Sequence, residues 1–235
     1  MISINFNNKN SYTDLGITID SFGIQPPAKK KIKESVPFMN GSYDFSTVGS
    51  NGEITYSERV IRLKFNLIES NRASLWNKYS EVLEWLLGVG QSQLIFSDMI
   101  DCYYLAEVED APSFETLIKN GGIMEVEFIT YPFKFGTNIE GSNQLWDPFN
   151  FELDYMQDTE LDVVGSEVIQ IYNVGKLVSP VVNCSSNMSV VLNGYTANFT
   201  TGDNTDWRFK LKPGINNITV TGTGTIKFIF RKELL

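Results

Sequence analysis

Residues 25–67 read QPPAKKKIKESVPFMNGSYDFSTVGSNGEITYSERVIRLKFNL, and the closing run of this stretch decides the fold class. There Ile61, Leu63, Phe65 and Leu67 alternate with Arg62, Lys64 and Asn66. A period of two gives a strand one dry face and one wet face. Upstream, Pro26-Pro27 stiffens the entry to a lysine-rich strand, and Val36-Pro37 leads into an Asn40-Gly41 turn. A second turn, Ser50-Asn51-Gly52, returns the chain towards Tyr56. The stretch thus predicts two or three long antiparallel strands joined by irregular loops. Asp44 and Arg59 flank the turn region and are candidates for an ion pair.

Working outward, Ile2–Phe6 alternates briefly and Leu15–Ile24 is a strand-like run punctuated by Gly16 and Gly23. One helix is predicted: Leu75, Trp76, Tyr79, Val82, Leu83 and Leu86 form a single apolar stripe, capped by Ser70 or Asn71 and ended by Gly88. That stripe reads as core against a sheet. Strands return at Gln93–Phe96, Tyr103–Val108 and Ile123–Thr130, with Ala111–Asn120 read as a loop, and Tyr131-Pro132-Phe133-Lys134-Phe135 closes an α+β domain over residues 1–135. Residues 136–150 have the composition of a linker. Beyond them, short strands recur between turn signals at Asn193-Gly194, Gly202-Asp203-Asn204, Pro213-Gly214 and Gly222-Thr223-Gly224. That rhythm predicts an all-β sandwich over residues 151–235. The fold class is therefore mainly β with one helix.

Composition narrows the function. The 235 residues carry a net charge of −9 and no histidine. An acidic surface repels a phosphate backbone, so sequence-specific nucleic-acid binding is not expected. The lack of histidine removes His-based triads and His metal sites. Cys102 and Cys184 make no disulfide framework. No apolar run reaches the ~20 residues that a membrane span requires, and Met1–Phe6 has no basic segment leading into an apolar one, so neither insertion nor a signal peptide is expected.

Candidate chemistry resolves into structural readings. Gly222-Thr223-Gly224 is half of a dinucleotide fingerprint, but a strand rather than a helix follows it, so it reads as a hairpin turn. Lys29-Lys30-Lys31-Ile32-Lys33 reads as a solvated edge. Asp98 and Asp101, and the acids Glu152, Asp154, Asp158, Glu160 and Asp162, lack the pairing that a glycosidase needs and the glycine-framed spacing of a calcium loop. The sequons at Asn183, Asn187, Asn198 and Asn217 read as chance in an Asn/Thr/Ser-rich sandwich. No catalytic, metal-binding or cofactor-binding residues are expected, and no enzyme. Trp207, with Tyr195 nearby, is expected in the core; its other reading is a sugar-stacking face.

The order of these motifs resembles that of siphophage distal tail proteins. Besides the opening stretch, Asp14-Leu15-Gly16-Ile17 looks like that family's first strand, and Ser97–Ala106 is similar to its acidic segment before a tyrosine-rich strand. Tyr131-Pro132-Phe133-Lys134 resembles the run that closes its first domain. Trp146-Asp147-Pro148-Phe149-Asn150-Phe151-Glu152 resembles the bridge into the second. Asn173-Val174-Gly175, Ser179-Pro180-Val181-Val182 and Leu211–Arg231 complete the likeness. The resemblance implies an N-terminal ring-forming domain, a C-terminal galectin-like sandwich, and a hexameric ring at the virion tail tip. That ring joins the tail tube protein to the tip hub or tail-associated protein and to the adsorption apparatus with its receptor-binding protein, and is assembled in the bacterial cytoplasm. A DNA conduit must not grip DNA, and an acidic chain meets that condition. Contacts between copies are expected to use Arg59, Arg62 and Lys64. The alternative is a carbohydrate-binding module that contacts cell-wall polysaccharide through Tyr195 and Trp207.

Overall fold

The computed structural model describes residues 2–50, 52–141, 149–152 and 154–235. The Ser50-Asn51-Gly52 turn, the bridge motif at Trp146-Asp147-Pro148 and much of the 136–150 linker therefore lie wholly or partly outside the described residues. Two compact units are found, Met1–Lys134 and Phe135–Leu234, with the terminal Leu235 grouped with the first.

In the first unit, the strands are β1 (Ile4–Phe6), β2 (Lys9–Asn10), β3 (Thr18–Ile24), β4 (Lys33–Glu34), β5 (Tyr43–Asp44) and β6 (Arg59–Ile68). After helix α1 (Arg72–Leu87) come β7 (Ser92–Phe96), β8 (Cys102–Glu107), β9 (Ser113–Ile118) and β10 (Gly121–Thr130). The sheet runs in the order β2-β1-β7-β8-β10-β6-β3, with β9 also on β10. Within it β6 and β10 pair over ten residues each, from Arg59↔Thr130 to Ile68↔Gly121. The alternation read from the sequence is the burial pattern of β6. Ile61, Leu63, Phe65 and Leu67 are all at most 1% exposed, and each such side chain contributes about 1.5–3 kcal/mol by leaving water. On the wet face, Arg62 pairs with Glu127 and Lys64 with Glu125, each directly across the ladder.

Helix α1 covers this core. The Asn71 side chain accepts from the Ser74 amide, and the Gly88 amide closes the end on the Glu84 carbonyl. Its buried face holds Leu75, Val82, Trp85 and Leu86. Trp85 lay outside the expected stripe, and its indole N–H donates to the Phe6 carbonyl at 2.7 Å. Trp76, placed in that stripe, is instead 44% exposed; with Tyr79 it packs on Phe114. Phe114 lies in β9, within the segment read as a loop. The residues of β9 are mostly exposed and carry no period, so only pairing with β10 reveals the strand.

Residue ranges of the second unit are β11 (Lys134–Gly136, shared with the end of the first), β12 (Glu160–Asn173), β13 (Val181–Cys184), β14 (Met188–Leu192), β15 (Tyr195–Phe199), β16 (Gly202–Thr205), β17 (Gly214–Ile229) and β18 (Glu233–Leu234). The order β15-β14-β17-β13-β16, with β12 along β17, makes a six-stranded sheet. Gly222 and Gly224 do not form the expected hairpin turn. They lie inside the single 16-residue strand β17. Residues 218–221 of β17 pair with β14 and residues 226–229 with β13, so the strand passes from one set of neighbours to the other across these glycines. Both have φ in the positive region, as does Gly165 directly opposite Gly222, and a Cβ at Gly224 would stand 2.3 Å from Ser185 Oγ. Glycine here bends a continuous strand. The sheet folds over one core in which Val182 and Phe228 from one half meet Val190 and Val220 from the other.

Candidate interaction surfaces

Three places depart from the rule of apolar inside and charged outside. The first is the segment between β3 and β6. Gln25 N donates to Val60 O, Lys30 N to Thr55 O and Ser57 N to Ala28 O, so the chain leaves the sheet as a two-stranded arm. Lys33 pairs with Asp44 and Glu34 with Tyr43 further out. The lysine-rich strand is thus a short ladder rather than one of several long strands. Asp44 accepts from the Ser46 amide and from Lys31; hydrogen bonding to Ser46 first, then to Lys31, holds its carboxyl well below the ordinary range. Its partner is Lys31, not Arg59.

Among the described residues from Ala28 to Glu58, none is buried. Ile32, Val36, Tyr43, Phe45, Val48 and Ile54 are all exposed, and Phe38 is wholly so. Phe38 also has φ of 68°, in a turn closed by Met39 N on Val36 O. Pro37 at the second position and a positive φ at the third match a turn that favours glycine there. A bulky aromatic is costly in that conformation, and among the described residues nothing repays it by burial.

The second place is in the sandwich unit, where Gly136 N donates to Lys232 O and Glu140 N to Phe230 O. Residues 136–140, read as linker, are pinned to the end of the chain. Lys232 is buried and paired with Asp154. Among the described residues, Glu140, 2% exposed, leaves Oε2 without a hydrogen-bond partner. Burial pushes its carboxyl up, against the pull of the Lys232 ammonium.

Matching begins and ends on strand boundaries of the first unit. The family described as phage tail protein RIFT-related domain matches residues 4–130, from the first residue of β1 to the last of β10. The chain belongs to that family. Over the whole length of both chains it is also similar to the crystal structure of the SPP1 Dit protein, described as a paradigm of the hub adsorption apparatus in phages that infect Gram-positive bacteria. The TM-score is 0.68 at 12% identity. No curated protein sequence matches. The likeness to siphophage distal tail proteins read from motif order therefore holds, and this is a structural protein of the phage tail.

The residues singled out in this tail protein separate once folded. Arg62 and Lys64 stand together on the wet face of β6, roughly half exposed. Arg59 on the same strand is buried, its guanidinium 5.4 Å from the Tyr104 ring centre, and so offers no surface to a neighbour. Odd-numbered positions of β6 face inward, and Arg59 shares that parity with Ile61. The third departure is Trp207. It is 73% exposed rather than in the core, and Phe209 two residues on fills the core position. Tyr195 donates its hydroxyl to Asp206, and Arg208 lies over the Tyr195 ring and beside Trp207. Arg208 and Asp206 escaped notice in the sequence, although an aromatic flanked by Asp and Arg was there to be read. The thiols of Cys102 and Cys184 are both buried. Among the described residues no cluster of three metal-ligating side chains occurs, and no helix is long and apolar enough to cross a membrane.

Proposed function

We propose that this tail protein forms a hexameric ring at the tail tip that joins the tail tube to the tip hub and the host-adsorption apparatus. Residues 1–135 build the ring, and the arm between β3 and β6 lies on the neighbouring copy. The observation that carries this reading is the arm itself: seven exposed apolar side chains on a hairpin led by a conformationally costly, wholly exposed Phe38. Exposed apolar surface on this scale marks an interaction site, and positive φ at a bulky residue persists where function rewards it. A second copy is the favoured occupant because the arm carries Lys29, Lys30, Lys31 and Lys33 in a chain of net charge −9. A head-to-tail contact of this kind closes by rotation. The sandwich, residues 151–235, is the outward domain, and assembly takes place in the host cytoplasm. The structural likeness to a protein of the SPP1 hub apparatus supports the placement.

The test is a size measurement by analytical ultracentrifugation and electron microscopy, on the wild type and on Phe38→Asn. Asparagine tolerates positive φ, so the variant keeps the turn and removes the apolar tip. Rings in the wild type and their loss in the variant support the proposal. A wild type that stays monomeric at high concentration, with tail-tube and hub proteins added, overturns it.

A further inference from the structure

The loop between β16 and the strand bridge at Leu211 holds an exposed aromatic in a fixed frame. Phe209 N donates to Asp206 O at 3.1 Å, and Arg208 N donates to Asp206 Oδ1 at 2.9 Å. Asp206 Oδ2 accepts from the Tyr195 hydroxyl, which ties the loop to β15. Phe209 and Leu211 are sunk in the core at 1% and 0% exposure. With its neighbours anchored, Trp207 is held outward, and its exposure is not that of a frayed end. Beside it the Arg208 guanidinium carbon lies 5.1 Å from the Tyr195 ring centre and 5.9 Å from that of Trp207. Among the described residues, Arg208 commits its Nε to Asp206 at 3.5 Å, and its side chain remains 57% exposed. Its terminal nitrogens are the donors left for a ligand.

We propose that Trp207 and Arg208 form a binding site for an anionic saccharide, with a pyranose ring stacked on the indole and its carboxylate or phosphate held by the guanidinium. A flat, exposed indole offers an apolar face to the C–H edge of a sugar while its rim stays wet. A guanidinium presents a planar fork that matches a carboxylate or phosphate in two hydrogen bonds. Tyr195 and Asp206 position the arginine before the ligand arrives, so little side-chain freedom is lost on binding. The class is narrowed by charge. With net charge −9 the protein as a whole repels polyanions, so a single cation on an aromatic platform suits one anionic sugar ring rather than a nucleic-acid backbone, which needs many such contacts.

The experiment follows the tryptophan indole N–H resonances of the full-length ¹⁵N-labelled protein, with Trp207→Ala assigning the Trp207 peak. Sodium glucuronate, glucose 1-phosphate, glucose and AMP are titrated separately to about 50 mM, a range suited to the millimolar affinity of one exposed site. The expected result is saturable movement of the Trp207 peak with glucuronate, glucose 1-phosphate or both. These two probes separate a uronic acid from a sugar phosphate as the source of the charge. Glucose should bind about tenfold more weakly, and Arg208→Gln should erase that difference while leaving the rest of the spectrum in place. A Trp207 peak that moves with none of the sugars, that moves equally with glucose, or that responds most to AMP overturns the proposal.

Discussion

Strand β6 and the arm that precedes it are neighbours in one stretch of sequence, both rich in apolar residues set among basic ones, and their fates are opposite. In β6 the odd residues are sealed between the sheet and α1. In the arm no described residue from Ala28 to Glu58 is buried, and Phe38 stands wholly in solvent. The difference is one of neighbours. The backbone of β6 is flanked by β10 and β3, which bring a core with them, whereas among the described residues β4 and β5 pair only with each other. Two strands alone have no second layer to cover their apolar side chains. An alternating pattern thus creates a demand for burial, and the tertiary structure decides whether this chain or another molecule meets it.

Substitution can break that contrast. Phe65→Ala, in the sealed face where Phe65 meets Trp85 at 6.2 Å, should cost about 3–5 kcal/mol in urea denaturation. Phe38→Asn should leave the urea midpoint of the monomer unchanged and act only on association. If Phe38→Asn unfolds the protein, the arm is part of the core's stability and the contrast is false.

Charge sharpens the same comparison. Glu140 is a buried group whose exposure would relieve a cost, the reverse of Phe65. Its folded pKa is raised by burial, so the folded state binds the proton more tightly than the unfolded one. Stability is therefore lost as pH rises from the ordinary glutamate value through the folded one. Glu140→Gln should be more stable than the wild type at pH 7, and that gain should vanish below the ordinary glutamate range, as read by denaturation at several pH values.

Smaller effects are expected on the wet face. Arg62→Glu with Lys64→Glu places like charges directly across from Glu127 and Glu125, which destabilises the ladder. A small fall in Tm, larger at low salt, should result. Adding Glu125→Lys and Glu127→Lys should restore it. The restored protein, and not the double variant, is the fair test of whether ring contacts use this face. The slightest effect belongs to Asp44, whose folded pKa is depressed. Its contribution to the arm is present above the ordinary aspartate value and is lost as pH falls through the folded one. The Ser46 amide resonance should shift on acidification, and Asp44→Asn should abolish that shift.

Local pattern alone determined β6, β10, the single helix with its Asn71 and Gly88 ends, and the mainly β class. Each of these has a period, a cap or a stop that acts within a few residues. The motif order likewise carried the likeness to distal tail proteins. Tertiary structure alone decided four things. It turned Gly222 and Gly224 from a turn into a bend, because strands on either side hold β17 continuous. It made a strand of the patternless 113–118 segment by pairing it with β10. It buried Arg59 by strand parity and placed it over a Tyr104 that lies 45 residues away in sequence. It also put Trp207 outside, since only one of two closely spaced aromatics could enter the core and Phe209 took the place. Sequence registers how much apolar surface a segment carries; which of it is covered depends on partners distant in the chain.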